Sequence, residues 1–335
     1  MAKRCMEKAS KNPESPENKA FTPFGGDPYG CATVPLWQRM AYAPAGWLLR
    51  MAAALPAPLR HGMADGLAWL ARSVVRYRRR VVRRNLADCF PASSAQWRQE
   101  VEKGFYRNLA DYVFQTAGIA FLNQKRLMRH ISFSGLEEVA ATLSDGRDIV
   151  LYTSHFGNWE YIPLMAAAMP KERDGMVFAH VVRPLKNLWF NRFFHRLRSR
   201  FNTSVPQKQT ARAMIGWRRC GQRFIIGFLS DQKPGRYTQS TEVDFLNRRT
   251  PFIEGTEVLA AKLHTAVFYT DVHREGRDRI RVDLVKMADD AAALPPGALT
   301  ADYARRLTDS IRRDPAAYLW SHNRWRLKKE DLSGC

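Results

Sequence analysis

The sequence has few of the residues that build disulfide or metal frameworks. Its five cysteines are scattered over 335 residues without a Cys-x-x-Cys pair. Neither a disulfide framework nor a zinc site is therefore expected, and a reducing compartment fits this cysteine usage best. The eight histidines are equally dispersed, and no dinucleotide fingerprint or phosphate-binding loop occurs. We expect neither a metal ion nor a bound cofactor.

Long apolar runs are also absent. The most apolar region, Val34 to Ala71, is divided by three arginines and three prolines, and it never reaches the roughly 18 to 20 residues that a spanning helix needs. Two or three short helices lying in a membrane interface fit this pattern better than a crossing, with a single anchor as the alternative. Residues 1–33 lack the features of a signal peptide, and their polar, Pro- and Gly-rich composition predicts a disordered tail.

Acidic residues are scarce relative to basic ones. The chain has 53 Lys and Arg against 32 Asp and Glu, a formal charge of +21, which favours an anionic partner. Arg72 to Arg84 holds seven arginines and no acid, and we expect this cluster to meet anionic lipid headgroups. Arg183 to Arg200 combines six basic residues with aromatic residues at helical spacing, which predicts a basic amphipathic helix; a solvated charge run beside a core stripe is the alternative. No RNA- or DNA-binding signature occurs, so nucleic acid is not expected.

The most informative stretch is His155-Phe-Gly-Asn-Trp-Glu160. It follows a short apolar run that predicts a buried strand, and it leads into a predicted helix over 159–169 with Asn158 as its N-cap. His155 would stand at the end of the strand, with Glu160 in the first helical turn, close enough to hold the imidazole ring. Apart from Ser154, which ends the apolar run, no Ser or Cys adjoins the pair, as expected if the substrate supplies the nucleophile. A buried histidine with a satisfied hydrogen bond is the alternative.

Downstream, predicted strands alternate with predicted helices, which is typical of an α/β fold with a mostly parallel sheet flanked by helices. We expect strands over 148–154, 175–182, 223–229, 266–272 and 279–285, and a long loop from residue 230 to 252. His155, Arg183 and Asp231 each follow a predicted strand, so they should lie along one edge of the sheet. The chain is divided into the tail, an N-terminal helical membrane-associating region over 34–120, and a catalytic domain over 121–330.

The His155 motif resembles the active-site motif of the lysophospholipid acyltransferase superfamily. From Leu36 to Lys329 the chain resembles one branch, the late (lauroyl/myristoyl-type) acyltransferases of lipid A biosynthesis, and a glycerolipid acyltransferase-like fold is implied. Further matching blocks occur in the expected order: Tyr77-Arg-Arg-Arg-Val-Val-Arg-Arg-Asn-Leu86, Phe105-Tyr-Arg-Asn-Leu-Ala-Asp111, Val182-Arg-Pro-Leu-Lys-Asn187, Ser230-Asp-Gln-Lys-Pro-Gly235, and Ile311 to Arg326.

The resemblance implies transfer of a fatty acyl chain from a thioester donor to a hydroxyl of a lipid A-type precursor, a phosphorylated glycolipid. The donor would be acyl carrier protein, which is strongly acidic, or acyl-CoA. The enzyme would work at the cytoplasmic face of the inner membrane. An acyltransferase for lysophospholipids or amino-acid lipids is the nearest alternative, and a non-catalytic membrane- or RNA-binding protein is a third.

Roles follow for the candidate site residues. His155 would be the general base and Glu160 its orienting group, as in a Ser-His-Asp triad. Gly157 would let substrate approach or form a tight turn, and the amides after it, from Asn158 onward, are candidate oxyanion donors. Three further candidates are assigned to substrate binding, each beside a structural alternative: Arg183 for a phosphate, Asp231 with Gln232 for the donor side, and Arg324 near the C-terminus.

Overall fold

The computed structural model describes residues 34–169, 175–235 and 238–325. The predicted tail over 1–33 lies outside the described residues. The helices are, in chain order, α1 (Leu36–Ala54), α2 (Ala57–Trp69), α3 (Arg79–Cys89), α4 (Ala95–Phe121), α5 (Gln124–Leu127), α6 (Leu136–Ser144), α7 (Met165–Ala168), α8 (Leu188–Arg198), α9 (Thr210–Arg219), α10 (Gly255–Lys262) and α11 (Ala298–Arg313). A π-helical turn, Leu70–Val74, follows α2, and the 3₁₀ segments are Trp159–Leu164, Gln207–Gln209, Ala291–Ala293 and Pro315–Ala317.

A seven-stranded sheet forms the centre of the fold. The strands of the described residues are β1 (Ile131–Ser134), β2 (Ile149–Thr153), β3 (Val177–Val182), β4 (Thr203–Pro206), β5 (Phe224–Leu229), β6 (Ser240–Phe245), β7 (Arg248–Ile253), β8 (Ala266–Arg274) and β9 (Ile280–Ala288). The sheet order is β1-β9-β8-β2-β5-β3-β4, and every pair is parallel except β8 with β9. The predicted α/β architecture with a mostly parallel sheet is confirmed.

The central strands are buried because their sequences are almost wholly apolar. Each residue of β2 (Ile-Val-Leu-Tyr-Thr) is buried, and so are the first five of β5 (Phe-Ile-Ile-Gly-Phe). Continuous apolar runs of this kind are typical of parallel strands covered by helices on both faces. The strand before His155 was therefore predicted correctly.

Two predicted elements differ from the structure. The segment predicted as a long loop contains the antiparallel hairpin β6–β7, whose two turn residues, Leu246 and Asn247, both have positive φ. Two positive φ values in a two-residue loop are the mark of a type I′ turn, and a leucine in such a turn gives no sequence signal. The predicted helix over 159–169 begins as the 3₁₀ segment and continues as the one-turn α7, with Pro163 inside it.

The N-terminal helices pack directly on the α/β core. Arg60 of α2 pairs with Asp278 in the turn between β8 and β9, with an N–O distance of 2.6 Å. Arg277 of the same turn bridges Asp65 of α2 and Asp111 of α4. Within the described residues, no helix combines the length and apolar character needed to cross a bilayer.

Candidate active site

The carboxyl ends of three adjacent parallel strands meet at one edge of the sheet. β5 lies between β2 and β3, and His155, Asp231 and Arg183 follow β2, β5 and β3, respectively, within two residues. The shared edge therefore agrees with the sequence prediction. The three residues are not equivalent, however, because His155 and Asp231 are buried and Arg183 is exposed.

Asp231 holds the imidazole of His155. Its Oδ1 lies 2.7 Å from His155 Nδ1, and its Oδ2 accepts a 3.1 Å hydrogen bond from the backbone N–H of the same histidine. Burial would raise the pKa of the Asp231 carboxyl, but the charge and hydrogen bonds of His155, with Arg324 nearby, outweigh burial and hold this pKa below 3.8. The ionised carboxylate therefore favours the tautomer of His155 that carries its proton on Nδ1.

The expectation that Glu160 orients His155 is not what the structure shows. Its carboxylate accepts a bidentate pair from Arg198, at 2.8 Å from Nε and 2.5 Å from Nη2, and a long 3.4 Å bond from the Tyr112 hydroxyl. The side chain of Glu160 is 2% exposed. The prediction fails for a geometric reason: the 3₁₀ start of the segment directs Glu160 towards α8, whereas Asp231 reaches the ring from the neighbouring strand.

The Nε2 atom of His155 faces Gln232, whose Nε2 lies 3.1 Å away. With the proton on Nδ1, His155 Nε2 carries a lone pair, so the Gln232 amide donates to it. Gln232 itself is exposed, so its amide can be displaced without opening the core. The indole of Trp159 packs edge-on against the imidazole at a centroid distance of 4.8 Å and fixes the plane of the ring.

A C-terminal segment, residues 315–325, pairs with the backbone of the motif. Phe156 and Tyr318 form an antiparallel bridge, in which Gly157 donates to Ala317 and Leu319 donates to the carbonyl of His155. Because its N–H is already used, the amide of Gly157 is not available to an oxyanion. Gly157 has a φ of +60°, and a Cβ there would lie 3.1 Å from Val272. Its position in a tight turn is therefore a structural requirement.

Asn158 caps the 3₁₀ segment, as predicted. Its Oδ1 accepts from the backbone N–H of Glu160 at 3.1 Å, and its Nδ2 donates to Gln115 of α4 at 3.0 Å. Both ends of the amide are therefore used within the protein. This arrangement ties the motif to α4 and leaves the position of the backbone after Gly157 well defined.

Arg324 lies inside the protein, and its role in substrate binding stays a prediction. It is 2% exposed, its guanidinium stacks on Phe252 at 4.5 Å, and Nη2 donates to the carbonyl of Pro251. Its Nε and Nη1 have no hydrogen-bond partner. Burial lowers the pKa of Arg324, while the neighbouring Tyr318 and Asp231 raise it. Arg324 thus contributes positive charge behind the carboxylate that holds His155.

Arg183 begins an exposed loop, residues 183–187, between β3 and α8. The buried side chain of Asn191 in α8 accepts a 2.8 Å hydrogen bond from the backbone N–H of Leu185 and so holds this loop on the helix. The predicted basic amphipathic helix is confirmed as α8. Its first turn packs on α1, where Trp189 stacks on Tyr42 at 5.2 Å.

Most of the arginines between residues 72 and 84 have partners within the protein. Arg79 and Arg83 hydrogen-bond the buried carboxylate of Glu102, and Arg72 lies 3.5 Å from it. Arg78 and Arg84 bind the C-terminal segment, through the carbonyl of Ser321 and the side chain of Asn323. Arg76 and Arg80 are exposed. Part of the cluster therefore holds the fold together, and its contact with anionic headgroups stays a prediction.

In the described part of the chain, no group of three or more His, Cys, Asp or Glu side chains could hold a metal ion. The polar groups around the imidazole instead bond to one another, whereas Nε and Nη1 of Arg324 have no hydrogen-bond partner. The chemistry that this arrangement supports is proton transfer at His155 Nε2, with Asp231 stabilising the imidazolium.

Comparison with known proteins identifies the family. The profile of the bacterial lipid A biosynthesis acyltransferases matches residues 37–327. The chain belongs to this family. It is 24% identical over 282 residues to a lipid A biosynthesis lauroyltransferase of Escherichia coli K12, which covers 83% of this chain and 89% of that protein. It is also similar to the lipid A biosynthesis palmitoleoyltransferase of the same organism, at 23% identity over 82% and 87% of the two chains. A lipid A biosynthesis acyltransferase of Haemophilus influenzae is 25% identical over 66% and 67%.

Membership in this family makes the chain an acyltransferase and confirms the resemblance based on the motif blocks.

Several residues of the site were not predicted from the sequence. Trp159 lies within the motif, but nothing in its spacing marks it as the support of the imidazole ring. Tyr112 and Gln115 lie one turn apart on α4, and Arg198 ends α8. Their approach to the motif depends on tertiary packing and has no local signal.

Proposed function

We propose that the enzyme transfers a fatty acyl chain from a thioester donor to a hydroxyl of a lipid A-type precursor, with His155 as general base and Asp231 as the group that orients it. The observation that carries this proposal is the His155–Asp231 contact at 2.7 Å, with His155 Nε2 directed towards an exposed amide that a hydroxyl can replace. The names of the family and of its members support a lipid A-type acceptor.

The reaction follows from the protonation of the imidazole. The acceptor hydroxyl takes the place of the Gln232 amide and donates its hydrogen bond to His155 Nε2. As its oxygen attacks the thioester carbonyl carbon, the proton moves to Nε2, and the imidazolium that forms is stabilised by Asp231. Collapse of the tetrahedral intermediate breaks the C–S bond, and the imidazolium returns the proton to the leaving thiolate. The products are an ester and a free thiol.

The developing oxyanion needs donors beside the base. Since Gly157 donates to Ala317, we assign this role to the next backbone amides, those of Asn158 and Trp159, which are placed by the Asn158 cap. Each oxyanion donor is worth about 3 to 4 kcal/mol in comparable acyl-transfer sites. His155 thus contributes proton transfer, and these amides stabilise the oxyanion.

The charge of the chain suggests the partners. A net charge of +21 suits acyl carrier protein as donor, because that carrier is acidic, and acyl-CoA is the alternative anionic donor. Arg183 and Lys186 lie in the exposed loop at the carboxyl edge of the sheet, where a phosphate of the acceptor would meet them. Guanidinium groups bind phosphate in bidentate fashion.

We also propose attachment at the cytoplasmic face of the inner membrane through α1 and α2. These helices expose large apolar side chains, and an apolar surface of this size is unusual in a protein that contacts only water. Five of those on α1, namely Leu36, Trp37, Met40, Trp47 and Leu48, are 59–69% exposed. Burial of these side chains at the level of the headgroups would bring the loop with Arg183 to the lipid phase, because α1 packs on α8.

The experiment that tests the function is acyl transfer in vitro, followed by mass spectrometry of the lipid product. Purified enzyme would receive lauroyl- or myristoyl-carrier protein and either a bisphosphorylated disaccharide lipid or a lysophospholipid. We expect ester formation on the disaccharide lipid. In His155→Ala its rate should fall by about two orders of magnitude or more. Activity on the lysophospholipid alone would replace the proposed acceptor, and a folded His155→Ala enzyme of near wild-type rate would disprove the proposed base.

A further inference from the structure

We propose that Glu160 is a positioning residue: it acts through Arg198 to fix α8 and the Arg183 loop, and it does not orient His155. The expected effect on acceptor binding rests on the proposed function, whereas the effect on the position of α8 does not. The buried Glu160 carboxylate and the Arg198 guanidinium form a two-pronged ion pair at 2.5 and 2.8 Å. Such pairs are the strongest and most directional of charged hydrogen bonds.

The pair joins the catalytic motif to the far end of α8. Arg198 is the last residue of this helix, and its guanidinium also lies over Phe194, one turn earlier, at 5.0 Å. The hydroxyl of Tyr112 in α4 donates to Glu160 Oε1, the same oxygen that Arg198 Nη2 contacts. Because the carboxylate is 2% exposed and the guanidinium 21% exposed, water competes little for the contact. The end of α8 is therefore fixed relative to His155.

The loop that begins with Arg183 is in turn held on α8. Asn191, in the first turn of α8, accepts the hydrogen bond from the Leu185 amide and holds the loop on the helix. At the start of α8, Asn187 donates to the hydroxyl of Tyr42 in α1 at 3.0 Å. Glu160 thus sets the distance between the base and the basic loop. Its loss should weaken acceptor binding and leave proton transfer largely intact.

Two variants test the Glu160–Arg198 ion pair, one at each partner. In Glu160→Gln one carboxylate oxygen becomes an NH₂ group that faces the guanidinium, so one of the two charged hydrogen bonds is replaced by a clash of donors. Arg198→Gln removes the cation. Because the Arg198 side chain is more exposed than that of Glu160, this variant should disturb folding less. The matched control is Arg196→Gln, which removes an exposed arginine from the same helix.

Steady-state kinetics and hydrogen exchange of the full chain separate the possible roles. With lauroyl-carrier protein and the bisphosphorylated disaccharide lipid, we expect both variants to raise the acceptor KM about tenfold and the double variant to add little. The acidic limb of the pH–kcat/KM profile should stay where it lies in the wild type. Amide exchange over residues 183–198 should accelerate in both variants and remain unchanged in the control.

The proposal fails if Glu160→Gln lowers kcat and moves the acidic limb with an unchanged acceptor KM, since Glu160 would then act on His155. It also fails if Arg198→Gln leaves exchange over residues 183–198 and acceptor KM at wild-type values. An inactive wild type on every lipid A-type acceptor would instead disprove the proposed function. The exchange measurement needs no substrate and would still decide the positioning role.

Discussion

Replacement of Asp231 by asparagine keeps the shape of the side chain and changes its hydrogen-bonding pattern. The carboxylate now accepts two bonds from one residue, from the backbone N–H and from the ring Nδ1–H of His155. An asparagine has one acceptor oxygen and one NH₂ group for these two donors. The backbone of His155 cannot turn away, because its carbonyl accepts from Leu319 and the nearby Gly157 donates to Ala317.

The asparagine oxygen will therefore face the backbone N–H, and its NH₂ group will face the ring. An NH₂ group can only donate, so the ring proton must move from Nδ1 to Nε2. His155 Nε2 then lacks the lone pair that accepts the hydroxyl proton. In serine hydrolases the equivalent change of tautomer costs about 10⁴ in kcat. We expect a loss of about 10³ to 10⁴, equivalent to about 4 to 5.5 kcal/mol of activation free energy.

The assay is single-turnover acyl transfer with purified, folded variants, together with thermal unfolding to measure stability. Asp148→Asn is the matched control: Asp148 is buried just before the start of β2, at the end opposite to His155, and accepts from Arg218 and from the Phe224 amide. It should lose stability by about 1.5 to 3 kcal/mol, the range for hydrogen bonds to charged groups, and retain its rate at temperatures where it stays folded. A folded Asp231→Asn enzyme within tenfold of wild-type kcat would refute the assigned role of Asp231.

Two further predictions concern the N-terminal half of the chain. Arg76→Glu with Arg80→Glu should reduce binding to anionic vesicles by about 1 kcal/mol per residue in low salt, as measured by co-sedimentation, whereas equal binding at low and high salt would exclude an electrostatic contribution. Glu102→Gln should destabilise the protein at neutral pH by about 1.5 to 3 kcal/mol, with exposed Glu100→Gln in the same helix as control. Burial raises the pKa of Glu102, but the hydrogen bonds of Arg79 and Arg83 outweigh it, and the folded-state pKa lies below 4.5. Its stabilisation is therefore present above pH 4.5 and lost as pH falls through the lower folded-state pKa, so a stability difference that does not shrink as pH falls below 4.5 would contradict this account.

The sequence predicted the sheet and its catalytic edge because the signals there are local. The apolar run before His155 and the Asn158 cap depend on neighbours in the chain, and the structure confirms both. The same reasoning placed Asp231 at the edge, since it follows a buried strand. Which carboxylate contacts the imidazole was not predictable, because it depends on the direction in which each strand end leaves the sheet. Glu160 is nearer to His155 in sequence, and Asp231 is nearer in space.

The internal partners of the arginine cluster were missed for a related reason. The sequence shows seven arginines without an acid among them, but Glu102, which binds two of them, lies 19 and 23 residues away on α4. Local charge patterns cannot reveal a partner on another helix. The hairpin β6–β7 escaped for a different reason, since Leu246 and Asn247 adopt positive φ without a glycine.

Internal ion pairs do not remove the net charge, because they leave the numbers of acidic and basic residues unchanged. The excess of 53 basic over 32 acidic residues therefore remains, even though one acid such as Glu102 binds more than one arginine. Two cations near the site contact neutral groups, since Arg78 binds the Ser321 carbonyl and Arg324 binds the Pro251 carbonyl, and a third, Arg183, lies exposed at the sheet edge. Their field would raise the local concentration of anionic substrates and stabilise the negative charge that develops in the transition state. On this reasoning the charge of the chain serves binding and chemistry together, and the association rate with an anionic donor should fall steeply with salt.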